Sequence, residues 1–348
     1  MITNSAKKDI FSARNMNVRT NRGKAFKTTV FLAVACAFFI FSNTGCKAKK
    51  YDLSGKVNIV CTIFPLYDWT LQIIGQYFNT TIVGLVKKSN FDLHLFEPTV
   101  YDYNQVSAAN VLVCIGDESE AWVQEAVENS PNKDMIVIKL MDLMEQNGRL
   151  LQKTGGNGEP AGVDENGAPL GYDEHVWLSV KNAKIAVQAI ADALCSLDST
   201  NADNYRKNLE AYLLELDGID FEFQGIADKT QNKTLIFCDR FPFRYFTNDY
   251  GFSYYAAIQD CSKQTEATPE SLDFLAKKID ELGVKAVFKI DGSNEKMARA
   301  VIKNSSNKFC DIVTLDSMQT TSLRAAFEGK TYTSTMRKNI EELKKALN

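Results

Sequence analysis

From residue 57 onward the chain alternates short apolar runs with amphipathic stretches of helix length, and it does so in two separate blocks. In the first block residues 57–63, 81–86, 111–115 and 135–140 are short and rich in β-branched side chains, with 68–77, 101–108 and 119–128 between them. A strand that is apolar throughout must be covered on both faces, so this pattern specifies βαβ units and a largely parallel sheet. The same alternation resumes after residue 229, with apolar runs at 234–238, 254–258, 285–290 and 312–315 and helical stretches at 243–249, 269–282 and 294–303. A closing helix is expected from about residue 333 to residue 347.

The blocks are joined by two helices. Residues 181–197 form the first. The second follows Asp198-Ser199-Thr200-Asn201, a cluster of capping residues, and in it Ala202, Tyr205, Leu209, Tyr212, Leu216, Ile219 and Phe223 recur three and four residues apart. That spacing draws one apolar stripe along about 33 Å of helix. Covering it takes either both lobes or the ordinary core of one. The expected architecture is therefore α/β: two similar lobes with mostly parallel sheets, residues 56–180 and 229–348, joined through residues 181–228 by a long rigid helix. A chain of 348 residues is long enough for two such cores. Ligands of open α/β sheets lie beyond the carboxyl ends of the strands, which here means the interlobe cleft. Residues 152–171, rich in glycine and without apolar periodicity, read as a surface loop of the first lobe.

The first 45 residues stand apart. Seven lysines and arginines face one acid, Asp9, and an apolar run over residues 28–41 follows, short for a membrane span and suited to an export signal. Asn43-Thr44-Gly45-Cys46 resembles a lipoprotein cleavage box, which makes Cys46 the expected lipidation site and 46–55 a tether, with an uncleaved anchor as the alternative. Either way the remainder sits outside the cytoplasmic membrane. That remainder carries 33 basic and 42 acidic side chains, a formal net charge of −9, with no basic cluster to neutralise phosphates. Nucleic acid is excluded as a partner, and a small cation is electrostatically compatible. Cys61, Cys114 and Cys195 sit in apolar runs and read as core residues. One disulfide among Cys238, Cys261 and Cys310 is compatible with export, without a choice of pair.

Only two histidines exist, His94 and His175, and each stands two residues after an aspartate, in Asp92-Leu93-His94 and Asp173-Glu174-His175. Both fall at expected strand or loop ends beside acids, a placement suited to metal ligation, with Asp92, Glu97 or a carbonyl available to fix the second nitrogen of His94. Imidazole with carboxylate is a donor set for zinc or manganese. A three-histidine zinc site is impossible, and HExxH, GxSxG and Walker A sequences are absent, so a hydrolase or nucleotide enzyme ranks last and no catalysis is expected.

These residues resemble the extracytoplasmic solute-binding lipoproteins of zinc and manganese ABC importers. Thr62-Ile63-Phe64-Pro65-Leu66-Tyr67-Asp68 resembles the family's opening strand and turn, and Asp92-Leu93-His94-Leu95-Phe96-Glu97-Pro98-Thr99 its D-P-H-x-Y-E-P-T signature. Glu120-Ala121-Trp122 is similar to its E-x-W helix start, and Asp173-Glu174-His175-Val176-Trp177-Leu178 to D-P-H-V-W-L. The resemblance implies a C-clamp with a metal between the lobes, His94 and His175 as ligands from the first lobe, and Asp316 from the second. At the position of the family's third ligand stands Arg240, which cannot ligate, so either Asp239 or Glu266 is expected to supply the carboxylate, or Arg240 pairs with one of Asp239, Asp291 and Asp316 and the metal retains water. Leu93 and Glu174 replace the two prolines. The implied protein is a monomeric, lipid-anchored binder of zinc, or alternatively manganese, that delivers its ion to the membrane subunits of an ABC permease. The alternative is a surface adhesin on the same fold with a degenerate metal site.

Overall fold

Four strands and their covering helices form each half of the structure, a computed structural model that describes residues 56–76, 81–87, 93–153, 171–258 and 266–347. The signal and tether, Cys46, Asp92, Cys261 and nearly all of the glycine-rich loop lie outside the described residues. In the first lobe β1 (Val57–Cys61), β2 (Thr81–Leu85), β3 (Val111–Cys114) and β4 (Ile136–Lys139) form an all-parallel sheet in the order β2-β1-β3-β4. The central strand β3 is buried at every position, the burial its continuous apolar run requires. The second lobe repeats the plan with β5 (Thr234–Arg240), β6 (Ser253–Ile258), β7 (Ala286–Ile290) and β8 (Asp311–Leu315), again parallel and ordered β6-β5-β7-β8.

The opening helix α1 (Phe64–Ile74) starts four residues earlier than the periodicity suggests, because Pro65 falls in its first turn, where a missing N–H costs nothing and the fixed φ already suits a helix. Smaller helices follow: α2 (Val100–Ser107), α3 (Ala121–Glu128) and α4 (Leu140–Gln146). Helix α5 (Val180–Leu197) is capped by the Ser179 hydroxyl, and the linking helix α6 runs from Ala202 to Lys229. All seven residues of its predicted stripe are buried, and Ile226 and Ala227 extend it. The stripe packs against α1 and α5 on one side and against α7 (Arg244–Tyr250) and α11 (Tyr332–Leu347) on the other, so both lobes cover it. Helices α8 (Pro269–Leu282), α9 (Lys296–Asn304) and α10 (Leu323–Phe327) complete the second lobe.

Both lobes belong to one compact unit, and a single apolar cluster runs through them from Ile59 to Ala346. Polar ties cross the junction as well. Arg149 Nη2 lies 2.6 Å from Asp249 Oδ1, Trp177 Nε1 donates to Ser317 O at 3.0 Å, and the Tyr332 hydroxyl donates to Trp177 O at 2.9 Å. The backbone N–H of Tyr332, at the start of α11, donates to Asp68 Oδ2 of α1 at 2.8 Å. Cys61 and Cys114 are buried as expected, whereas Cys195 is only half-buried; Cys238 and Cys310 are buried free thiols. Among the described residues no helix is long and apolar enough to cross a membrane.

Candidate metal centre

The first lobe brings both histidines to one point. His94 sits in a single 3-10 turn, Leu93–Leu95, on the connection that follows β2, and His175 immediately precedes another, Val176–Leu178. A short antiparallel bridge pins the second segment. Gln152 pairs with Tyr172, Lys153 N–H donates to Gly171 O at 2.9 Å, and Asp173 N–H donates to Leu151 O at 2.8 Å. The Tyr245 hydroxyl of the second lobe fastens the same segment by donating to Asp173 O at 2.7 Å.

Asp173 then orients the imidazole. Its Oδ1 accepts from the backbone N–H of His175 at 2.8 Å and lies 3.0 Å from the ring Nδ1, which places the ring proton on Nδ1 and leaves Nε2 a lone pair. His175 is 1 % exposed, and its ring centroid lies 5.2 Å from that of Trp177. Its Nε2 is 3.4 Å from His94 Nε2. Two nitrogens bound to one tetrahedral zinc at 2.0–2.1 Å would stand about 3.3 Å apart, so this spacing suits a shared ion without rearrangement.

Glu174 completes the group. One oxygen, Oε1, is 3.6 Å from His94 Nδ1, and the other, Oε2, is 3.2 Å from Lys153 Nζ. One ligand atom each from His94, Glu174 and His175 lies within 4.8 Å of the others, and among the described residues no other trio of His, Cys, Asp or Glu does so. Burial pushes the Glu174 carboxyl up, but the positive charge that His175 carries when protonated, with that of Lys153 and of a protonated His94, outweighs it and holds the group below the usual carboxylate range. It is therefore ionised at neutral pH and able to ligate. Behind it, burial and then the Glu174 charge raise Asp117, on the loop after β3. That loop is shaped by buried Glu120, whose Oε2 accepts from the amides of Ile115 at 2.7 Å and Gly116 at 3.1 Å.

The acids expected from the second lobe are engaged elsewhere. Asp239 is buried, with Oδ1 accepting from Arg240 N–H at 2.9 Å and Oδ2 from Ile290 N–H at 3.2 Å and the Ser293 hydroxyl. Asp316 sets Oδ2 2.6 Å from Lys330 Nζ, and its Oδ1 accepts from Met318 N–H at 2.9 Å. Glu266 is exposed, ahead of α8. None of the three belongs to the trio around His175. Glu97, a candidate partner for His94, is exposed, and the acid that approaches the Nδ1 of His94 is Glu174. In the sequence Glu174 stands at a replaced proline of the signature, and the signal that marks it as a third donor is that it adjoins one of only two histidines. Nothing in the sequence pointed to Lys153.

Two parallel α/β lobes on a helical strut, with an imidazole pair and an acid gathered in the first lobe, define a two-lobed α/β protein with a candidate metal centre. Residues 59–346 match the ZnuA family, described as zinc-uptake complex component A, periplasmic, and the chain belongs to it. It is 24% identical over 329 residues to the zinc-binding protein AdcA of Streptococcus pyogenes serotype M6, covering 91% of this chain and 61% of the relative, so it spans under two thirds of that protein's length. It is 27% identical over 328 residues to the iron ABC transporter substrate-binding lipoprotein MtsA of Streptococcus pyogenes serotype M1, covering 92% of this chain and 95% of the relative. The crystal structure of the Zn(II)-bound ZnuA-like domain of Streptococcus pneumoniae AdcA shares the fold, with a TM-score of 0.65 at 23% identity, over 84% of this chain and 99% of that one.

Proposed function

We propose that the chain is the extracytoplasmic solute-binding component of a divalent-metal ABC importer, capturing zinc and passing it to the permease. The observation that carries this reading is the imidazole pair 3.4 Å apart with Glu174 beside it. Two nitrogens, one carboxylate oxygen and a water satisfy four-coordinate zinc, whereas manganese favours more oxygen ligands. Family membership supports transport, and the relatives' names divide between zinc and iron, so the preference for zinc rests on the donor set. Glu174 takes the role expected of Asp239 or Glu266, and Asp316 is available only if it leaves Lys330. The acylated Cys46 would hold a monomer at the membrane face. The test is zinc stoichiometry and affinity by chelator competition. Near-stoichiometric zinc is expected, lost in His94→Ala and His175→Ala; no uptake by the parent protein at micromolar zinc would refute the assignment.

A further inference from the structure

A lysine stands on the one carboxylate of the candidate metal centre. The bridge between Gln152 and Tyr172 fixes the backbone of Lys153, and from there its ammonium reaches Glu174 Oε2 at 3.2 Å while the opposite oxygen faces His94. The lysine side chain is 30 % exposed and the glutamate 6 %, so the pair is partly shielded and its charges act at close range. Such a cation has two effects on an arriving dication, both of definite sign. It repels the ion across a few ångströms. It also occupies one of the two oxygens, so that Glu174 offers a single lone-pair donor in place of a bidentate grip.

We propose that Lys153 sets both the affinity and the selectivity of the metal centre, by holding Glu174 to one oxygen and keeping dication binding weak enough for release. A single oxygen beside two imidazoles suits four-coordinate zinc, and it withholds from manganese the extra oxygen that a six-coordinate ion would use. The electrostatic part weakens every dication, and the geometric part weakens manganese further. Lys153 is thus a positioning residue acting through Glu174. This inference rests on the site assignment above, and the experiment separates the two.

Zinc and manganese dissociation constants are measured by chelator competition on the whole protein, its Lys153→Met and Lys153→Arg variants, and His175→Ala. Lys153→Met is expected to bind zinc at least tenfold tighter and to gain more for manganese, narrowing the preference; Lys153→Arg, which keeps the charge, should stay within about threefold of the parent for zinc. Thermal unfolding of each variant establishes that it is folded. A Lys153→Met protein that binds zinc no tighter than the parent overturns the inference and leaves the site standing. If the parent binds zinc no better than His175→Ala, the site assignment fails and the inference falls with it.

Discussion

The two lobes are built alike and used differently. Each is a four-stranded parallel sheet with the same order of strands, and each carries acids in or near the connections between its elements. In the first lobe His94, on the connection after β2, and Glu174 and His175, after the Gln152–Tyr172 bridge, converge on one point. In the second the acids brace their own loops: Asp239 clasps Ile290 and Ser293, Asp316 holds Lys330, and Asp291 accepts from Ser317 N–H at 2.6 Å, the Ser317 hydroxyl at 2.7 Å and the Thr320 hydroxyl at 2.6 Å. Between those braces lies Met318, a non-glycine residue at φ 62°, a conformation that costs about 1–3 kcal/mol and persists only when its surroundings impose it. A carboxylate near the site is therefore a candidate ligand only if at least one of its oxygens is left to face the ion. Position in the fold does not decide it.

The sharpest way to break this contrast is to neutralise one acid from each lobe and measure zinc. Glu174→Gln should weaken zinc binding roughly a hundredfold, since it removes the only carboxylate of the trio; losses of supporting groups alone run to ten- to a hundredfold. Asp316→Asn should leave the constant within about threefold. Equal losses from the two variants, by competition titration, would mean that the second lobe ligates after all.

A smaller effect is expected when the bracing role is attacked directly. Asp291→Ala strips three hydrogen bonds from the 317–320 turn, leaving the buried Ser317 amide without its acceptor, and should lower unfolding stability by about 2 kcal/mol. Zinc affinity at saturating fold should barely change. Urea midpoints with unaltered slope would show the loss, and a stability equal to that of the parent would remove the bracing argument.

How much of this was legible beforehand follows from where each signal resides. The parallel sheets were readable because doubly covered strands leave continuous apolar runs, and α6 because its stripe keeps one period along seven residues. The histidines stood out by rarity. What the sequence could not carry were partners distant along the chain: Ser293 lies 54 residues from Asp239, Lys330 lies 14 from Asp316, and a β-bridge across the glycine-rich segment is needed to bring Lys153 to Glu174. Each of those encounters reassigns a carboxylate, and each is a product of tertiary packing. The family resemblance implies Asp316 as a ligand, and here its Oδ2 stands 2.6 Å from Lys330 Nζ, a contact the sequence does not show.

The seam between the lobes supplies the smallest test. Asp68 on α1 accepts the first N–H of α11, and burial raises its carboxyl from 3.8 to about 6, further pushed by Glu215 against the pull of Tyr332 N–H and Gln72. A folded-state value above the unfolded one means the folded protein binds the proton more tightly. The resulting stabilisation is complete below about pH 4 and disappears as pH rises through about 6. Between pH 5 and pH 8 the parent should therefore lose about 1 kcal/mol that Asp68→Asn does not lose, because the amide still accepts from Tyr332 and never ionises. The readout is the difference between the two proteins' urea midpoints at each pH, which cancels every other titrating group they share. Parallel pH profiles would show that Asp68 is solvated well enough to ionise freely, and that the join between the lobes is looser than the shared core implies.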